Sequence, residues 1–228
     1  MFARTALKVS QSLMYQKGVH ESSKAPEQMI AWMQAPAGHG KSKVIKTILA
    51  YLTSWASREC AAPSAQSGIA AAGIDGRTLH NLMDWRPRSM SSAKKYSRAQ
   101  KDFFAKIRLI TIDESSTMSQ LVCGKLSEGL KALLGTDLPF GGIHMLMVGD
   151  WLQMGPVAAI KLFTVPISER EDCTLSPDYV PNLTGLSVKT AKSVKKAHAA
   201  KFLSHNLMKN GYDAYNQIIF VVTLQRKL

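Results

Sequence analysis

Apolar runs that end in small or acidic residues set the frame of this chain. Met29 to Met33 leads through Gln34 into a loop of small residues, Ile107 to Ile112 stops at Asp113-Glu114, and Ile143 to Val148 stops at Gly149-Asp150. Runs this apolar over so short a length predict strands buried on both faces of a parallel sheet. Elsewhere the period changes. Val44, Ile45, Ile48, Leu49 and Leu52 recur at helical spacing within 43–56, and a second helix is expected over 118–134. Leu7, Gln11, Met14 and Tyr15 share a helical spacing in a first segment that loosens around Gly18 to Pro26. Residues 61–68 carry Pro63 and several small residues where a second strand is due, so no clear strand is expected there. Residues 86–105 read as a basic loop and helix, 168–185 as a charged insertion, 187–210 as a basic helix, and 218–224 as a last strand-like run. Alternating strands and helices predict an α/β fold, a mainly parallel sheet with helices on both faces. No internal repeat interrupts the pattern.

The loop after the first strand changes the picture from fold to chemistry. Ala35-Pro36-Ala37-Gly38-His39-Gly40-Lys41-Ser42 lies between a strand and a helix. Small residues there let backbone N–H groups turn inward on phosphates, Lys41 adds a positive charge, and the Ser42 hydroxyl can hold Mg²⁺. A structural turn with no nucleotide is the plain alternative. Asp113-Glu114 supports the phosphate reading, because ligands bind outside the carboxyl ends of strands in open parallel sheets. In that reading Asp113 holds Mg²⁺ opposite Ser42, Glu114 polarises the attacking water, and Gln153 reaches the terminal phosphate or the attacking water. The alternative for the acidic pair is to cap the helix expected at 118–134.

Composition narrows the class of partner. The 228 residues are 46% hydrophobic, enough for one well-buried domain, and no apolar run approaches the length of a membrane span. The first residues lack the pattern of a secretory signal, and Cys60, Cys123 and Cys173 are scattered without metal-ligand spacing, which reads as reduced thiols in an intracellular protein. The formal net charge of +13 favours a polyanion, with nucleic acid ahead of membrane. It concentrates in two stretches. One runs from Arg77 through Arg86, Arg88, Lys94, Lys95, Arg98 and Lys101 to Arg108; the other holds Lys189, Lys192, Lys195, Lys196, Lys201 and Lys209.

Together these blocks resemble superfamily 1B DNA helicases of the Pif type, which move 5′ to 3′. Leu7-Lys8-Val9-Ser10-Gln11 is similar to the family's adenine-contacting motif, with Lys8 in place of Asn and Gln11 as the contact. Ala35 to Ser42 matches the nucleotide loop, with Ala35 in place of Gly and His39 in place of Thr. Ser67-Gly68-Ile69-Ala70-Ala71 and Gly76-Arg77-Thr78-Leu79-His80 resemble the segment coupling the ATP site to single-stranded DNA, implying DNA contacts at Ser67, Gly68, Thr78 and His80. A lone histidine such as His80 is more often a packed or capping residue. Asp113 to Met118 and Pro139-Phe140-Gly141-Gly142 through Gly149-Asp150-Trp151-Leu152-Gln153 to Val157 complete the match, with Gly155 in place of Pro.

The resemblance implies a RecA-like P-loop NTPase lobe using ATP and Mg²⁺. The implied organisation is a helical segment over 1–28, the ATP-binding motor lobe over 29–166 and a basic extension over 167–228 with a last core strand; no room is left for a second motor lobe. Residues 221–226 resemble the strand leading to an arginine that reaches the terminal phosphate, either Arg226 or one beyond Leu228. The resemblance further implies DNA repair, recombination or telomere maintenance in the nucleus or mitochondrion, as a monomer. A non-catalytic remnant that binds nucleotide or nucleic acid without turnover is the second reading. An unrelated protein-remodelling ATPase is the third, and Gly149-Asp150-Trp151-Leu152-Gln153 counts against it.

Overall fold

The structure is a computed structural model that describes residues 5, 7–11, 27–85, 96–164, 188–218 and 220–224. Arg226, the Arg86 to Lys95 part of the basic stretch, Met14, Tyr15 and the 168–185 insertion lie outside the described residues, as do the side chains of Lys189, Lys192, Lys195, Lys196 and Lys201.

The strands are β1 (Ile30–Gln34), β2 (Ala61–Ala65), β3 (Arg77–Thr78), β4 (Leu109–Asp113), β5 (His144–Gly149) and β6 (Phe220–Thr223). They form one sheet in the order β3-β2-β4-β5-β1-β6, and every pairing is parallel. All carboxyl ends therefore meet one edge. The helices are α1 (Lys41–Trp55), α2 (Gly68–Gly73), α3 (Leu79–Leu82), α4 (Arg98–Lys106), α5 (Gln120–Leu134) and α6 (Val188–Asn216).

Side-chain alternation along the strands sorts the core into two layers. Met29, Ala31, Met33, Leu109, Leu146 and Val148 pack with Ile45, Ile48 and Leu52 of α1. On the other side, Ile30, Trp32, Ile110, Ile112, Met145 and Met147 pack with Cys123, Leu126, Leu130 and Leu133 of α5. Helices thus cover both faces, as the parallel pattern requires.

The expectation of no clear strand before Ser67 is corrected. β2 is a full strand of five residues paired with β4 from Ala61 to Ala65. Pairing with β3 begins only at Ser64, so Pro63 stands where that side of β2 is still an edge, the position that tolerates proline. Its small residues fit close approach. A Cβ on Gly76 would lie 2.5 Å from the Pro63 carbonyl oxygen, so backbone, not side chains, fills that space.

Two further elements differ from expectation in extent. α5 starts at Gln120 with Ser119 as its cap, whose Oγ accepts from Val122 N at 3.3 Å, and its first turn holds no acid. Asp113-Glu114 therefore does not cap this helix. α6 runs 29 residues and lies across α5, where Gly124 and Gly211 allow backbone to meet backbone. A Cβ at Gly124 would overlap the Leu207 carbonyl oxygen, and one at Gly211 would overlap that of Gln120.

A buried histidine fastens the amino-terminal helical piece. His144, 2% exposed, accepts from Met29 N through Nδ1 at 2.9 Å and meets the Lys8 carbonyl through Nε2 at 3.2 Å, so the neutral ring carries its proton on Nε2. Burial lowers its pKa from 6.5 to about 4; the bond to the Lys8 carbonyl opposes the shift, while the nearby Lys8 and Arg108 charges add to it. As pH falls below 6.5 the unfolded chain takes up a proton that the folded one refuses, so stability is lost toward about 4. The full loss is about 3 kcal/mol at most. His144→Gln is expected to flatten this part of the acid-unfolding curve, as denaturant titrations at several pH values would measure.

Candidate nucleotide site

The parallel topology brings the loops after β1, β2, β4 and β5 to one edge. The β1 loop is anchored by Ala35 N, which donates to Gly149 O at 3.2 Å. Gly38 and Gly40 have φ of 73° and 79°, the left-handed region that glycine enters without a Cβ penalty. Ala35 is fully buried and is not among the positive-φ residues, so alanine replaces the family's glycine there without backbone strain. His39 closes the turn through Nδ1 to Ala37 O at 2.9 Å.

α1 opens directly from this loop. Its cap, Gly40, offers no side-chain bond and its first turn has no acid, so its first N–H groups face the loop mouth, where an anion would satisfy them. Lys41 Nζ donates to the carbonyls of Ala35 at 2.8 Å and Pro36 at 3.0 Å, which holds the ammonium over the loop.

The decisive contact joins this loop to β4. Ser42 Oγ donates to Asp113 Oδ2 at 3.1 Å across 71 residues of chain. A hydroxyl and a carboxylate side by side beside a phosphate loop are hard oxygen donors suited to Mg²⁺, which keeps its remaining positions for water and phosphate. Among the described residues no cluster of three or more His, Cys, Asp or Glu forms an all-protein metal cage. A hydroxyl and one carboxylate leave most coordination positions to water and phosphate, which suits an ion carried in by a nucleotide.

Glu114 is exposed and sits in the left-handed region with φ 55°. Its N–H donates to Asp113 Oδ1 at 2.9 Å, and its Oε2 accepts from Ser67 Oγ at 2.7 Å. The same Ser67 oxygen accepts from Ala70 N at 3.2 Å, capping α2. The β2 end is thereby linked to the acid beside the nucleotide loop.

The other candidates are placed less tightly. Gly68 follows Ser67 with nothing within 4 Å of where a Cβ would stand. Thr78 caps α3 by accepting from Asn81 N at 3.3 Å. His80 is exposed and meets Trp85 edge-on at 5.4 Å, so it has a packing partner. Gln11 lies half-buried on the helical piece 7–11, whose Val9 is in the α1-side core. Gln153 is exposed after β5, with its N–H donating to Asp150 O at 3.1 Å.

Sequence reasoning gave no role to Gln34 or to the Asp150 carboxylate, yet Gln34 Nε2 donates to Asp150 Oδ1 at 2.7 Å. The available signal was a pair of polar residues closing two apolar runs. A cavity of about 540 Å³ lined by Lys46, Leu52, Arg58, Pro63 and Asp75 belongs to the other end of β2, and its lysine and aspartate pair with each other at 3.8 Å. It is not part of this site.

A family model described as PIF1-like helicase matches residues 6–165. The chain belongs to the PIF1-like helicase family. It is 35% identical over 127 residues to the ATP-dependent DNA helicase RRM3 of Saccharomyces cerevisiae, covering 54% of this chain and 18% of that protein. It is 33% identical over 126 residues to the ATP-dependent DNA helicase PIF1 of Candida albicans, covering 53% of this chain and 14% of that one. The chain thus spans less than a fifth of the length of these relatives.

Among solved structures, Pif1 from a Bacteroides species in complex with ADP-AlF4 aligns with TM-score 0.51 at 25% identity, over 68% of this chain and 33% of that one. Pif1 helicase from Candida albicans aligns with TM-score 0.51 at 27% identity, over 60% and 32%. The RecA-like architecture expected of a PIF1-like helicase lobe is the one found.

Proposed function

We propose that this chain is the first motor lobe of a PIF1-like helicase, binding Mg-ATP and hydrolysing it in step with single-stranded DNA. The observation that carries the reading is the Ser42–Asp113 contact beside Lys41, which gathers a cation, a hydroxyl and a carboxylate around one phosphate loop. Lys41 neutralises phosphate charge, while the backbone N–H groups of the loop and of the α1 start orient the triphosphate. Ser42 and Asp113 would hold Mg²⁺, which when bound screens the phosphate oxygens. Glu114 orients and deprotonates the attacking water, and Gln153 contacts the terminal phosphate. The Ser67–Glu114 bond supports coupling, because DNA engaging Ser67 would alter the group that activates water.

Motors of this kind work by closing a second lobe over the nucleotide, so unwinding by this lobe alone is not expected. The 5′ to 3′ direction, a nuclear or mitochondrial role in repair or recombination, and a completing arginine at Arg226 belong to this proposal. The test is ATP hydrolysis with and without single-stranded DNA. DNA should stimulate turnover, Lys41→Ala should abolish it, and DNA affinity should fall steeply with salt as counterions are displaced. DNA and nucleotide binding with no hydrolysis under any condition would instead support the non-catalytic remnant.

A further inference from the structure

Gln34 closes β1 immediately before Ala35, and its amide is used three times. Nε2 donates to Asp150 Oδ1 at 2.7 Å, while Oε1 accepts from Trp151 N at 3.1 Å and from Trp32 Nε1 at 3.3 Å. Asp150 Oδ1 also accepts from Leu152 N at 3.0 Å. Asp150 is only 5% exposed, and the Gln34 amide and the Leu152 N–H that donate to its carboxylate are both neutral. The Gln34 amide supplies both functions at once, donating to the carboxylate and accepting from a backbone N–H, and it reaches across from the neighbouring strand to do so.

Ring stacking reinforces the same junction. Trp151 lies on Trp32 with centroids 5.1 Å apart and planes 23° from parallel, and Tyr215 of α6 meets Trp32 edge-on at 6.3 Å. Beyond it, Leu152 and Met154 are 93% and 80% exposed. The turn is therefore clamped at Asp150-Trp151 and open thereafter. The clamp sits where β1 becomes the nucleotide loop.

We propose that Gln34 is a positioning residue: it ties the turn 150–153 to the nucleotide-loop strand, so that Gln153 is presented to the terminal phosphate in register with Lys41. This rests on the nucleotide reading above. It adds a residue that touches no phosphate and acts through Asp150.

The test compares the full chain with Gln34→Met, which keeps the length of the side chain and loses its bonds, and Gln34→Glu, which keeps an acceptor and sets a second carboxylate against Asp150. Without nucleotide, Gln34→Met should shift tryptophan emission to the red, and the shift should shrink in a Trp151→Phe background, where Trp32, which also loses its bond to Gln34, is left to report it. A far-ultraviolet spectrum matching wild type shows that the variant is folded. With nucleotide, the preference for ATP over ADP should fall by about tenfold, the value of one charge-assisted hydrogen bond. Gln153→Ala should produce the same fall, and the double variant should be no worse than either single one. Gln34→Glu should fall at least as far.

A folded Gln34→Met with unchanged tryptophan emission overturns the tie. Independent, additive losses with Gln153→Ala overturn the positioning role. Wild type that binds neither nucleotide sinks the nucleotide reading and the role drawn from it, whereas the emission measurement still decides whether the tie exists.

Discussion

Glu114→Gln is expected to lower DNA-stimulated ATP hydrolysis by about 100-fold or more while leaving Mg-ATP affinity within about twofold of wild type, the signature of a lost general base. The amide has the size of the carboxylate, and its oxygen can still accept the bond that Ser67 Oγ makes at 2.7 Å. What disappears is the basicity. Single-turnover hydrolysis beside equilibrium nucleotide binding separates the two effects. Ser67→Ala is the complementary change, since it releases the carboxylate from its hydroxyl donor. DNA-independent turnover should then rise and the stimulation ratio fall, whereas a residue that only capped α2 would lower stability and leave the ratio alone.

The second large effect lies in the scaffold. Gly211→Ala should destabilise the lobe by about 3 kcal/mol or more, because the new methyl group meets backbone that cannot rotate away. For a chain of this size that is a fall of roughly 10 °C in melting temperature. Gly124→Ala should act alike, as its Cβ overlaps the Leu207 carbonyl oxygen. Gly73→Ala is the control, since nothing lies within 4 Å of its Cβ position and its φ is unexceptional. Thermal melts of the three variants check the crossing of α5 and α6. Equal melting temperatures would mean that these helices do not cross there.

Some of this was legible along the chain for physical reasons. β1, β4 and β5 are buried on both faces, so their sequences are continuous apolar runs, and α1 shows its stripe because only one side meets the sheet. β2 hid because its neighbours approach through backbone, which selects Ala, Ser and even Pro63 over the branched side chains that signal a strand. The helix crossing hid for a similar reason, since Gly124 and Gly211 are ordinary helical glycines until they are placed face to face.

The site divides along the same line. Lys41, Ser42, Asp113 and Glu114 stand out because phosphate and metal chemistry demand those types at strand ends. The Gln34–Asp150 and Ser67–Glu114 bonds depend on which strands are neighbours, and β1 lies beside β5 and β2 beside β4 only in the folded sheet. Capping, too, was decided by tertiary structure. Ser119 took the α5 start, which left Asp113 to face Ser42.

If one Mg²⁺-bound triphosphate is held jointly by the β1 loop and the end of β4, calorimetric titration of ATP with and without Mg²⁺ will read it. Wild type should bind ATP more tightly when Mg²⁺ is present, Asp113→Ala should lose that difference, and Lys41→Ala should lose affinity under both conditions. ATP binding that is indifferent to Mg²⁺ and unchanged by either substitution would rule the shared site out.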